Sequence, residues 1–523
     1  MDWFQLLSLY RLRFDVEGKA AMKKSQSAVG LIRALGLDPA VVPRTRPIYR
    51  RLVDLFERTI SRGQIAPGVQ LPPERDLARA FRVSRTTVVT AYRELEAKGL
   101  VRGYVGRGTF VAARPEPGSA PFAWRGKVSA AALQSSDSTV RDLVGAAADP
   151  KLTSFAAGQP ALERFPTDEF QRALNRILTT DAAAVWRHGP TEGQPRFRAA
   201  IATRFGGEAD HVLVIAGAQQ GLDLLARCLI DPGDAVVLDR PGYLGAIDSF
   251  RNAGARLVGW DVTRADVDEL EELLLRYHPK LIYVNPTHQN PTGISLPIRV
   301  RHELLELAER YRVPIIEDDT YRELTLSATP PPSLYELDDT HTIVIRLNTF
   351  SKMLAPGLRL GWISAVRPIV EQLALLKQRS DPSTQNLSQL VVTELLETGV
   401  FDRHLGALRG EHRRRRDAMV RALRQYVPAG QLRFAVPEGG LYLWCQLPGH
   451  VRAQAVQQHA LRESMVFVTG EPFYVDRGGT GELRICYSAQ PPERAVSAAQ
   501  CLSRSIASAA RQAGAEPALI PIA

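Results

Sequence analysis

Apolar residues follow two different rhythms along the chain. Between residues 71 and 99 they recur at helical spacing. Pro73 suits the first turn of a short helix, where its missing N–H costs nothing, and that helix runs to about Phe81. Arg82 and Val83 then turn, and Ser84 can cap a second helix by accepting from an early N–H. On this second helix Val88, Tyr92 and Leu95 fall on one face, and Thr86, Thr90 and Arg93 on the other. Gly99 stops it. Residues 100–102 and 108–112 read as two strands of a ribbon, with Gly103, Gly106 and Gly108 between them. From about Leu152 the rhythm changes. Apolar runs at 212–216, 235–238, 281–284, 313–317 and 342–347 alternate with longer helical stretches, which predicts a parallel sheet covered by helices. The last 150 or so residues mix helix (391–397, 405–426) with strand (432–436, 440–445, 482–487), as a smaller α+β domain does. No internal repeat is visible.

Length and composition add the organisation. At roughly 100–200 residues per domain, 523 residues call for more than one domain. Residues 1–43 precede the first module, and Leu31, Ile32, Leu35 and Leu37 suggest one short helix there, ended by Pro39 and Pro43. Residues 114–151 are rich in Pro, Gly, Ser and Ala and read as a linker, leaving a body at 152–510 and a tail at 511–523. Residues 44–114 hold 15 Lys or Arg against 6 Asp or Glu, a net +9 out of +10 for the chain. A basic module joined to a near-neutral body is expected of a nucleic-acid binder with an effector part. No apolar run reaches 18 residues, and the N-terminus lacks the order of a secretory signal. The four cysteines are far apart with no Cys-x-x-Cys, which argues against a disulfide scaffold or a metal site and fits a reducing cytoplasm.

A helix with an apolar inner face and a Ser-Arg-Thr-Thr start is what a recognition helix needs, since its first turn enters the major groove. Residues 46–113, from Arg46-Pro-Ile-Tyr-Arg50 through Leu71-Pro-Pro-Glu-Arg75 and Ser84-Arg-Thr-Thr87 to Gly106-Arg-Gly-Thr-Phe-Val111, resemble the winged helix-turn-helix of GntR-family bacterial regulators. By that resemblance Arg75, Ser84, Arg85, Thr86 and Thr87 contact double-stranded DNA, and Gly106 brings the wing close to it.

In the body the key tetrapeptide is Thr349-Phe-Ser-Lys352, followed by Arg359. A lysine at a strand end with hydroxyls beside it and an arginine beyond suits an aldehyde cofactor bearing a phosphate. Gly217-Ala-Gln-Gln-Gly221 opens a helix, a ready anion site. Tyr243 offers a ring to stack, Asn290-Pro-Thr-Gly293 an amide, Glu317-Asp-Asp-Thr-Tyr321 carboxylates at a strand end, and Arg484 a carboxylate grip on a late strand. In this order the motifs resemble the class I aminotransferases of fold type I, which use pyridoxal 5'-phosphate. The resemblance implies an α/β fold, with a large parallel-type sheet domain and a smaller α+β domain, assembled as a homodimer. It makes Lys352 the catalytic Schiff-base lysine. Asp318 pairs with the pyridine nitrogen, Asn290 and Tyr321 with the ring oxygen, and Tyr243 stacks on the ring. Ala218, Gln219, Thr349, Ser351 and Arg359 hold the phosphate, and Arg484 the α-carboxylate of the ligand. One departure stands out. The family usually has a tyrosine just before Gly189-Pro-Thr-Glu-Gly193, where this chain has His188, with Trp186 two residues earlier.

The two modules together resemble the MocR-type regulators of the GntR family. That implies a transcription regulator sensing an amino acid or amine through an external aldimine. An active aminotransferase of aromatic or aminoadipate type carrying a DNA-binding domain is the alternative, and sensing of free pyridoxal phosphate a third.

Overall fold

The computed structural model describes residues 47–61, 65, 68–104, 108–112, 151–326 and 329–515. Gly106, the segment 1–43, the linker up to residue 150 and the tail beyond 515 lie outside the described residues. The chain divides into two compact units between Val128 and Ser129.

The first unit contains helices α1 (Ile48–Ser61), α2 (Glu74–Phe81) and α3 (Arg85–Ala97), then strands β1 (Val101–Tyr104) and β2 (Gly108–Val111). Leu52, Val53, Phe56, Leu77, Phe81, Val88, Tyr92, Leu95, Val101 and Val111 are buried together. Each fully buried Leu, Val or Phe contributes about 1.5–3 kcal/mol. Pro73 stands at the N-cap of α2, one place before the first turn. Arg82 ends α2 in a left-handed conformation, φ 55°. Ser84 caps α3, accepting from the Thr87 N–H at 3.1 Å. Thr86, Thr90 and Arg93 face outward, opposite the buried Val88, Tyr92 and Leu95. β1 and β2 pair antiparallel from Val101↔Val111 to Tyr104↔Gly108.

The second unit opens with β3 (Thr153–Ser154) and is built on seven strands, β4 (Val212–Ile215), β5 (Ala235–Arg240), β6 (Arg256–Asp261), β7 (Leu281–Val284), β8 (Ile315–Asp318), β9 (Val344–Thr349) and β10 (Gly361–Ser364). Their order is β4-β10-β9-β8-β7-β5-β6. The pairs from β9 to β6 are parallel, but β10 runs antiparallel to both β9 and β4. The expected parallel sheet is therefore mixed. The 11 residues between β9 and β10 fall short of the dozen or more that a parallel crossover requires. β6 and β10 were not legible as strands. Strands β4, β7, β8, β9 and β10 are buried along their whole length, with helices on both faces.

A second sheet holds β11 (Arg433–Phe434), β12 (Tyr442–Gln446), β14 (Val468–Thr469) and β15 (Glu482–Cys486) in the order β11-β12-β15-β14, and β13 (Met465–Val466) pairs parallel with β3. The long helices Val400–Tyr426 and Ala495–Ala515 share its core, the latter running past the expected domain end at 510. Strands β4, β5, β7, β8 and β9 point the same way, so the loops after them crowd along one edge. In open α/β sheets, that edge is where ligands bind. Among the described residues no helix is long and apolar enough to cross a membrane.

Candidate functional site

At that edge opens a cavity of about 150 Å³. Its walls include Ala218, Gln219, Tyr243, Asp318, Tyr321, Thr349, Ser351, Lys352 and Arg359, together with Thr320 and Pro356. Asn290 and Arg484 stand behind the wall. The Asn290 amide donates to the Tyr321 hydroxyl at 3.3 Å and its oxygen accepts from Arg484 Nη1 at 2.7 Å. Arg484, 5% exposed, also donates to the Ala156 carbonyl at 2.6 Å, and its guanidinium lies 4.3 Å from the Tyr442 ring centre. Residues far apart in sequence thus form one connected cluster.

Lys352 follows β9 by three residues and is half-buried. Its Nζ donates to the Gly158 carbonyl at 2.6 Å. Burial lowers its pKa to about 8. Arg484 and Arg359 push the same way, against Cys486 and Asp318. Asp318 ends β8. One of its oxygens accepts from the Tyr283 hydroxyl at 2.8 Å, the other from Thr320 Oγ1 at 2.5 Å and the Thr320 N–H at 3.3 Å. Burial still holds its carboxyl above the usual range, outweighing those hydrogen bonds and the attraction of Lys352. A buried carboxylate left in that condition is stabilised by any cation placed beside it.

The opposite end of the cavity suits an anion. Gly217 (φ 95°) precedes the helix Ala218–Leu229, whose first N–H groups have no side-chain cap. The Gly217 φ is one L side chains rarely adopt, and a Cβ there would stand 3.0 Å from the Arg359 guanidinium, so glycine is favoured. Arg359 Nη2 donates to the Ala216 carbonyl at 2.5 Å. The Thr349 hydroxyl donates to the Leu360 carbonyl at 3.0 Å and lies 3.0 Å from Ser351 Oγ. A hydroxyl has one proton, so with Leu360 as its acceptor Thr349 holds Ser351 by accepting from the Ser351 N–H at 3.2 Å. Behind this end, Gln220 accepts from the Ala216 N–H at 2.6 Å and donates to Asp381 at 3.0 Å. Asp381 in turn meets Lys377, a fully buried lysine that also donates to the Thr191 carbonyl at 3.0 Å. Anion donors at one end, a carboxylate at the other and an amine between fit a flat ring that carries a phosphate and a basic nitrogen.

Several members of the site were not singled out from sequence: Tyr283, Thr320 and Tyr442. Tyr283 sits in an apolar strand and reads as core. Thr320 was visible as the hydroxyl two residues after Asp318, a spacing that favours a local hydrogen bond. His188 and Trp186 are exposed, Trp186 to 73%, and neither lines the cavity. A larger cavity of about 470 Å³ lies beside Arg264, Arg299 and Arg310. Those charges are already paired with Asp266, Glu303 and Glu271.

In the first unit Arg75 and Thr86 are exposed. The Ser84 and Thr87 hydroxyls meet at 2.8 Å within the α3 cap. Arg85 donates twice to Glu74, at 3.1 and 3.0 Å. An exposed pair of this kind is worth about 0–1 kcal/mol, so a phosphate can displace Glu74. Gly106 lies outside the described residues.

Residues 150–500 match the family Aminotransferase class I and II, and residues 48–111 match Bacterial regulatory proteins, gntR family. The chain is 31% identical to the probable rhizopine catabolism regulatory protein MocR of Rhizobium meliloti, over 73% of this chain and 78% of that one. It is 28% identical to the uncharacterised HTH-type transcriptional regulator YdfD of Bacillus subtilis, over 84% of this chain and 93% of that one. Among solved structures it is similar to LysN, the α-aminoadipate aminotransferase of Thermus thermophilus, complexed with N-(5'-phosphopyridoxyl)-L-leucine. That match has 35% identity and a TM-score of 0.71, and covers 74% of this chain and 99% of LysN.

Proposed function

The chain belongs to the class I and II aminotransferase family and joins that body, whose cofactor is pyridoxal phosphate, to a gntR-family DNA-binding domain in the MocR-type arrangement; from this we propose that it is a transcription regulator whose DNA affinity answers to an amino acid or amine held in the cavity. The observation that carries this reading is the convergence of Lys352, Asp318 and the anion-binding end on one cavity, in a chain that also carries a winged helix. Lys352 holds the cofactor's aldehyde carbon, Asp318 faces its ring nitrogen, Tyr243 stacks on the ring, and Asn290 and Tyr321 reach the ring oxygen. The N–H groups of Ala218 and Gln219, with Ser351, Arg359 and the supporting Thr349, hold the phosphate. When bound, the cofactor supplies an electrophilic carbon and an electron sink. Lys352, with its pKa lowered to about 8, is neutral in about a tenth of molecules at pH 7, far more than an ordinary lysine. Arg484 grips the carboxylate of an amino acid effector, which would compete with the Ala156 carbonyl for Nη2.

Arg75, Ser84, Arg85, Thr86, Thr87 and Gly106 contact DNA, and a cytoplasmic homodimer presents two such modules to two half-sites. The effector changes DNA affinity only by its differential binding to the two states of the regulator. The alternative, an active aminotransferase, is favoured by one observation: a Lys352 of lowered pKa in one cavity with Asp318 and Tyr321, in a body 35% identical to LysN. An absorbance titration of the purified protein with amino acids, repeated with DNA, separates the two. A persistent spectral shift that alters DNA affinity supports the regulator. Rapid appearance of keto acid supports the enzyme. A colourless protein that gains no borohydride-trapped adduct, with Lys352→Ala as control, ends both.

A further inference from the structure

The near-neutral total of the body hides a second concentration of charge. Residues 151–399 carry 26 Lys or Arg against 32 Asp or Glu, whereas residues 400–515 carry 16 against 9. Eight of those sixteen, with only three acids, stand on the 27-residue helix Val400–Tyr426. All three acids are engaged: Asp402 by Arg204, Asp417 by Arg416, and the buried Glu411 by Arg164, Arg414 and Arg415. Arg403, Arg421 and Arg424 are exposed, with no ion pair among the described residues. At 100° per residue, Arg403, Gly410, Arg414 and Arg421 fall within about 20° of one line along the helix, with Gly406 and Arg424 about 60° to one side. Gly406 and Gly410 have nothing within 4 Å of where a Cβ would stand. Glycine is the least favourable helix residue after proline, and no packing or turn at these positions requires it. Its effect here is a smooth surface that a partner's backbone can approach closely, flanked by arginines and by Asp417, whose charge Arg416 offsets.

We propose that this face of the helix Val400–Tyr426 is a second DNA contact, a stripe that docks on the sugar–phosphate backbone of the duplex held by the winged helix. The proposal rests on the DNA-binding reading above. Charge complementarity favours a polyanion. A second copy of the chain is disfavoured, because the stripe would set arginine against arginine. Duplex DNA is favoured over other polyanions because the tethered winged helix raises its effective concentration at the body without any new contact.

The test uses the full chain, loaded with cofactor, on two mixed-sequence duplexes of about 16 and about 60 bp, with binding measured across a salt series. The shorter duplex holds little beyond the footprint of the winged module. For the variant Arg403→Ala/Arg421→Ala/Arg424→Ala, the slope of log K against log salt on the longer duplex should drop by about 2–3, and affinity should weaken roughly tenfold at about 0.1 M salt. Binding to the shorter duplex should stay as in wild type. Gly406→Gln/Gly410→Gln, which favours the helix, should weaken binding to the longer duplex in the same selective way. Unchanged slopes, or equal losses on both duplexes, overturn the proposal. The variant Arg75→Ala/Arg85→Ala lowers binding to both duplexes if the winged helix reads DNA. A flat wild-type salt response with no effect of that variant defeats the DNA reading itself, and the stripe with it.

Discussion

At the scale of single residues, the site works by shifting charges through burial. Lys352 titrates near 8 rather than 10.5, so its neutral fraction rises about tenfold per pH unit up to 8 and then levels. The rate at which borohydride-trappable pyridoxal phosphate attaches should follow that curve. A rate still climbing tenfold per unit above pH 9 would mean an ordinary, solvated lysine. Arg484 is the second test. Arg484→Ala should weaken carboxylate-bearing amino acids by about 2–5 kcal/mol while carboxylate-free amines change little. Equal losses for both classes would place the carboxylate elsewhere. Lys352, Asp318 and Arg484 were legible in sequence because each is a rare polar residue at the end of, or within, an apolar strand. Tyr283 and Tyr442 were not, because an aromatic in an apolar run looks the same whether its hydroxyl meets a carboxylate or a void.

At the scale of elements, one helix cap and one braced turn support the candidate sites. Ser84 holds the first turn of α3, and Ser84→Ala should cost about 1 kcal/mol, seen as earlier thermal loss of the winged unit. The turn from β4 into the helix Ala218–Leu229 is held from behind by Gln220, Asp381 and Lys377. Asp381→Asn and Lys377→Met should therefore weaken binding of pyridoxal phosphate roughly tenfold, the effect of losing one charge-assisted hydrogen bond, and that of unphosphorylated pyridoxal much less. A matched loss for both aldehydes would reduce this network to general support of the fold. None of its links was readable from sequence, since Lys377 lies on a helix where a lysine normally faces water. The inverted β10 was not legible for a similar reason: run length and apolarity do not encode strand direction.

At the scale of the whole molecule, acid stability follows from histidines that fold buried and neutral. His412 is lowered to about 3 and His288 to about 4, both by burial and by a nearby arginine, from an ordinary 6.5. Between these values the unfolded chain binds more protons than the folded one. Stability should thus fall as pH drops below about 6.5, by up to about 1.4 kcal/mol per pH unit for each histidine. Urea denaturation at a series of pH values should reveal this slope, and His412→Gln should flatten it. An identical slope in that variant would assign the acid sensitivity to other groups.

The order of motifs along the chain was sufficient to specify two modules, an α/β body and most of the cavity's lining. Those features depend on local rhythm, turn chemistry and strand ends, which are written residue by residue. Only the tertiary structure decided which charges are spent and which are free. Asp318 and Lys352 line one cavity, Arg85 is loosely held by Glu74, and Arg403, Arg421 and Arg424 face water on an open helix. Net charge is a sum that ignores position, whereas burial and pairing depend on neighbours hundreds of residues apart.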